Sequence, residues 1–229
     1  MNYIKNCLTF LTIVTLFGCK PLLVTYNKLP PQIPIKDSTK SVLLIDAGNI
    51  ISPGIAITQK REKVVSDIAK NYLPTLQQQL GEIISINTVI PDSISPATLE
   101  RLLMHHENTI DTLLKQYNAN IILLLKSYYA GFSQDRIEKT KNSSGGTDKI
   151  AYYSVFFDLE ASIFQNNEWI DKTINVNRPH SSRSVVSALL ARGPGYEANK
   201  NDISDMMKKN VIKFSELFLP STETIFTKQ

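Results

Sequence analysis

Cysteine is almost missing. The 229 residues contain two, Cys7 and Cys19, so no disulfide framework can staple the chain and no cysteine-based zinc knuckle can form. Glycine is sparse, at nine residues, and none stands in a phosphate-loop spacing. Arg192-Gly193-Pro194-Gly195-Tyr196-Glu197 lacks the following Lys-Ser/Thr and reads as a turn between helices. No Gly-x-Ser-x-Gly elbow surrounds any serine. No apolar run reaches the roughly 20 residues of a membrane-spanning helix. An excess of one charge is lacking too: the formal net charge is +4. The signs are interspersed, as in Lys60-Arg61-Glu62-Lys63, which is how solvated faces look. These absences argue against a nucleic-acid partner, and no motif implies a cofactor or a metal.

What is present starts at the N-terminus. Lys5 is followed by the apolar stretch Leu8 to Phe17, about half the length of a spanning helix and so suited to a cleavable signal at residues 1–18. Leu16-Phe17-Gly18-Cys19 resembles the lipobox of bacterial lipoproteins. The resemblance implies that Cys19 becomes the first residue of the mature chain and carries several acyl chains, palmitate among them, since a single chain holds a protein only marginally. Losing Lys5 with the signal lowers the formal charge from +4 to +3. Lys20-Pro21 follows Cys19 with no aspartate and no acidic cluster. By the same resemblance this implies the outer membrane and its periplasmic side, with the cell surface as the alternative.

Residues 19–40 contain Pro21, Pro30, Pro31 and Pro34. Proline favours extended chain, so the segment reads as a semi-rigid tether with a reach on the order of 60 Å. Alternatively, Leu22-Leu23-Val24 or Ile33-Pro34-Ile35 docks as an edge strand. Residues 41–229 then form one domain.

The domain alternates in pattern. Val42 to Ile45 is a buried strand ending at Asp46-Ala47-Gly48-Asn49. A helix follows over about 60–80, with Gly81 as its stop. Ile83 to Ile90 is a second strand. Ser95-Pro96 opens a second helix that runs to Tyr117. Ile121 to Leu125, apolar on both faces, is a central third strand. Lys139 to Asp148 is a polar, flexible loop. Ser154 to Phe164 alternates as a half-exposed strand, turns at Asn166-Asn167, and returns over Trp169 to Val176. Ser184 to Ala191 is a short helix and Asp202 to Leu219 a longer one. The fold class is therefore α/β (α+β): a mixed sheet in the order β-α-β-α-β-β-β-α, with helices mainly on one face.

This order, with Asp111 to Leu124 running from helix into strand and an alternating strand after it, resembles the domain shared by the curli-secretion lipoprotein family and the N-terminal domain of TolB. The lipobox, the proline-rich lead and the closing Phe218-Leu219-Pro220 also resemble an uncharacterised group of Bacteroidota lipoproteins. Neither resemblance carries a functional motif.

Polar candidates are few. Arg178, His180 and Arg183, spaced by serines at an expected helix start, are placed to hold a phosphate, a carboxylate or a partner, because helix N-terminal amides favour anions. The plainer reading is a helix capped by Ser181 or Ser182. A hydrolase around His180 needs a serine and an acid converging on it. His105 and His106 lack zinc-site spacing and read as core or boundary histidines. Asp46 ends the first strand, where open α/β sheets bind ligands, but it also suits a turn. Tyr128, Tyr129, Phe132, Tyr152 and Tyr153 form either an exposed aromatic patch or ordinary strand packing. The expectation is an anchored, non-enzymatic interaction domain that braces or recruits an unidentified envelope protein. A small anion- or ligand-binding lipoprotein is the alternative and a hydrolase the second alternative.

Overall fold

Ser41 to Ile45 is buried throughout, because its strand, β2 (Ser41–Ile51), lies inside a sheet covered on both faces. The computed structural model describes residues 22–35, 41–51, 59–84, 88–91, 93–141, 143–184 and 199–228, with the backbone alone at 22–26, 59–61, 83–84, 181–184 and 226–228. The expected signal at residues 1–18 and Cys19 lie outside the described residues. No helix among the described residues is long and apolar enough to cross a membrane.

The chain divides into two compact units. The smaller comprises Met1–Pro34 with Phe218–Gln229. Its β1 (Leu22–Leu29) lies within the proline-spaced segment 19–40 and pairs antiparallel with a strand at the far end of the chain, Ser221–Lys228. The register runs from Leu22 opposite Lys228 to Leu29 opposite Ser221.

The larger unit, Ile35–Leu217, is an α/β fold. After β2 come α1 (Gln59–Ala69), α2 (Tyr72–Ile84) and the two-residue β3 (Thr88–Val89). Then follow α3 (Pro96–Leu103), α4 (Glu107–Gln116), β4 (Ala119–Lys141), β5 (Thr147–Gln165), β6 (Glu168–Ser184) and α5 (Lys200–Ser215). A 3-10 turn at Glu216–Phe218 follows α5, and the C-terminal strand is numbered β7.

The mixed sheet has the order β3-β2-β4-β5-β6. β2 pairs in parallel with β3 and β4, whereas β4–β5 and β5–β6 are antiparallel hairpins. Successive crossovers from β2 to β3 and from β3 to β4 travel in opposite directions along the sheet. Right-handed connections therefore put their helices on opposite faces. Accordingly, α3 and α4 pack Leu102, Ile110 and Leu113 against Leu43, Ile45, Ile122 and Leu124. On the other face, Tyr72 of α2 meets Tyr128 and Phe157, and α5 packs along β5 and β6. Ile121 to Leu125 is fully buried, and each such aliphatic side chain contributes about 1.5–3 kcal/mol relative to exposure.

Several elements differ from the sequence expectation. The first helix splits at Lys70-Asn71 because Pro74 cannot donate a backbone hydrogen bond and its ring would clash with the carbonyl four residues earlier. α2 then runs past Gly81 to Ile84, which leaves β3 short. The second helix breaks at His105, whose φ is +59°. β4 and β5 extend through most of the expected loop, pairing as far as Lys141 with Thr147. β6 continues to Ser184, so Ser181 and Ser182 are strand residues and cap no helix. The rest of the expected helix to Ala191, and the Arg192 to Glu197 turn, lie outside the described residues.

Candidate functional site

Strand β6 decides the fate of the Arg178 to Ser184 candidates. Arg178 lies opposite Val155, and Pro179 opposite Ser154 beside a bulge. The first turn of α5 carries Asp202 over this strand. Its carboxylate accepts from Arg178 Nη2 and lies 3.4 Å from His180 Nδ1. The His180 ring also stands against buried Phe132, with centroids 4.8 Å apart. An anion is thus favoured at this corner, as the two basic side chains and the helix N-terminus require, but the chain supplies that anion itself. Arg183 lies opposite Ala151 on the same strand, and its side chain is outside the described ones. The acid that a hydrolase would need is present in Asp202. The serine is not identified, because the side chains of Ser181, Ser182 and Ser184 are not described. Asp202 was invisible as a partner in the sequence; its only signal was its place near the start of an amphipathic helix.

Asp46 behaves first as a turn residue. Its Oδ1 accepts from Gly48 N at 2.8 Å, and Gly48 has a φ of +70°. Burial raises its pKa above the ordinary carboxyl value, opposed by the Gly48 amide and by the nearby Tyr128 hydroxyl. Tyr128 is buried, and its hydroxyl faces Asp46 without a hydrogen bond of good geometry. Desolvation raises the tyrosine's pKa, with the Asp46 charge adding to it.

The aromatic cluster separates by strand alternation. Tyr128, Phe132 and Tyr153 are buried among ordinary packing contacts, while Tyr129 and Tyr152 are half-buried on the other face. On that second face, beyond the α3–α4 pair, no described helix of the larger unit packs along β4, β5 and β6. Phe156, Asp158 and Glu160 are half-buried there, and Thr173, Asn175 and Asn177 are exposed. Further along the β4–β5 hairpin, Arg136 stacks over Tyr152 at 4.5 Å, and the Tyr152 hydroxyl donates to Glu138 at 2.9 Å.

His105 and His106 are both exposed rather than core residues. The break between α3 and α4 turns His105 onto Trp169, where the rings stack at 4.5 Å, and leaves His106 at the N-cap of α4. Among the described residues no group of His, Cys, Asp and Glu could hold a metal ion.

A cleft of about 460 Å³ opens at the other end of the sheet. It lies between the C-terminus of α4 and the Asn166-Asn167 turn, with Asp111, Lys115, Asn118 and Asn120 along one side. No sequence motif marked it.

No family model matches the chain, and no curated protein matches it. Solved structures that align with most of the chain include a neuraminyllactose-binding hemagglutinin homologue from Helicobacter pylori, at 10% identity and a TM-score of 0.38, covering 82% of this chain and 86% of that one. A hypothetical protein from Chlamydia trachomatis gives 9% identity and a TM-score of 0.38, covering 77% and 96%. A minor lipoprotein from Acinetobacter baumannii gives 11% and 0.27, covering 77% and 94%.

Proposed function

We propose that this chain is a lipoprotein of the bacterial outer membrane, held through acyl chains on Cys19 with its domain in the periplasm. The domain is a non-enzymatic interaction module that serves as an accessory or scaffold for another envelope protein. The observation that supports an interaction module best is the face of β4–β5–β6 on which, beyond α3 and α4, no described helix of the larger unit packs. It sets half-buried Tyr129 and Phe156 among polar neighbours, Glu160, Asn175 and Asn177. Aromatic anchors ringed by polar groups are what a protein interface core requires. Against the anion-binding alternative stands Asp202, which engages Arg178 and His180 in a contact between α5 and the sheet.

Anchoring rests on Leu16 to Cys19 and is tested apart from the domain. Cells fed an alkyne-tagged palmitate should label the wild-type protein. Cys19→Ala should lose the label and leave the membrane fraction. An unlabelled wild type that still sediments with membranes would disprove the anchor. For the interaction face, a photo-crosslinking residue at Phe156 should give a discrete adduct in intact envelopes, and one at exposed Lys208 on α5 should not. No adduct at Phe156, or the same adduct at both positions, counts against this face.

A further inference from the structure

We infer that the cleft between the C-terminus of α4 and the β5–β6 turn binds a short neutral saccharide. Its volume, about 460 Å³, lies within the range of small-ligand sites. Carboxamides dominate its polar lining. Asn118 follows the C-terminus of α4, Asn120 lies at the start of β4, and Gln165, Asn166 and Asn167 come from the β5–β6 corner. A carboxamide presents an acceptor oxygen and two donor hydrogens in one plane. That is the complement of neighbouring sugar hydroxyls, each of which both donates and accepts. The two charged residues of the lining, Asp111 and Lys115, are of opposite sign, so the cleft selects neither an anion nor a cation. Leu114, Ala119 and Phe164 add an apolar strip suited to the C–H face of a pyranose ring.

Two observations set this cleft apart from an ordinary polar crevice. The Oδ1 of Asn120 is buried and has no hydrogen-bond partner among the described residues, a condition that is rare in native proteins. In addition, Asn118, Asn166 and Asn167 have φ values of +46°, +53° and +63°. Glycine fits such backbone more easily at a helix C-terminus and in the second position of a two-residue hairpin turn. Asparagine tolerates that backbone better than most residues, and at all three positions it adds to the cleft lining a carboxamide that glycine would lack. The inference does not depend on Cys19 or on the β4–β5–β6 face.

The test uses the full chain in a detergent without a sugar headgroup, with maltotriose and triacetylchitotriose as probes in saturation-transfer NMR. At least one sugar should bind saturably with a Kd in the millimolar range, as expected of a small, open site. The double variant Asn118→Gly/Asn167→Gly should weaken binding about tenfold or more, while its melting temperature stays level or rises, because glycine relieves both positions. Asn120→Ala should weaken binding as well. Failure of both sugars to saturate at tens of millimolar overturns the inference. So does binding that neither variant changes.

Discussion

At position 202 a carboxylate in the first turn of α5 faces the guanidinium of Arg178 and the Nδ1 of His180, 3.4 Å away. Both charged partners are partly exposed, with Arg178 at 38% and Asp202 at 30%, so solvent screens part of the attraction. A charge-assisted hydrogen bond in such a place is worth about 1–2 kcal/mol. Asp202→Ala should lower unfolding stability by that amount in urea titration. Arg178→Ala should cost a similar amount, and the double variant less than the sum, because the two share one contact. Asp46 makes a different prediction. Burial holds its folded pKa above 3.8, so folding takes up a proton between the ordinary value and the raised one. Stability contributed by this group therefore falls as pH rises through that window, and does not change further above it. Asp46→Asn keeps an acceptor for the Gly48 amide and removes the charge. Its stability relative to wild type should climb from acid to neutral pH in urea titrations at stepped pH.

Elements built on hydrophobic alternation were legible in advance. Val155, Phe157, Leu159, Ala161 and Ile163 are all buried on one face of β5, as their spacing demands. The Asn166-Asn167 turn, both residues left-handed, also follows from residue type. Elements held by pairing alone were not legible. Ser133 to Lys141 is polar except for Ile137 and exposed except for half-buried Glu138, yet it is strand because β5 stays in register beside it. Pro179 and its flanking serines look like a helix start, but they lie in an edge strand at a bulge, where proline is tolerated. Gly48 offers a test at this scale. It sits at a register shift in β2 with a φ of +70°, and an added methyl would meet nothing within 4 Å. Gly48→Ala should therefore cost about 1 kcal/mol from backbone conformation alone, read as a lower thermal midpoint by circular dichroism.

Across the larger unit as a whole, Asn210 is the pin. It is fully buried on α5, donates to the carbonyls of Phe157 and Ile174 at 2.9 and 2.7 Å, and accepts from the Tyr72 hydroxyl at 2.8 Å. One side chain thus joins α2, α5, β5 and β6. Asn210→Ala strands two carbonyls and a hydroxyl in the core. It should cost about 3 kcal/mol or more in chemical denaturation, well above the loss at Asp202. In the helical pattern of α5, Asn210 reads as a polar residue misplaced on the apolar stripe of Ile203, Met207, Val211 and Phe214. Only the strands beneath the helix explain it.

The sequence by itself determined which segments are apolar enough to be buried, much of the order of strands and helices, the tight β5–β6 hairpin and the apolar stretch from Leu8 to Phe17 ahead of Cys19. Each of these is written in neighbouring residues, because periodicity and turn chemistry act over a few positions. The tertiary structure decided that β1 pairs with β7, that His105 turns onto Trp169, that Asp202 meets Arg178 and His180, and that carboxamides from β4 and from the β5–β6 corner line one cleft. These depend on which distant segments become neighbours. A residue's own type and spacing record that it will be buried or paired, but carry no mark of its partner.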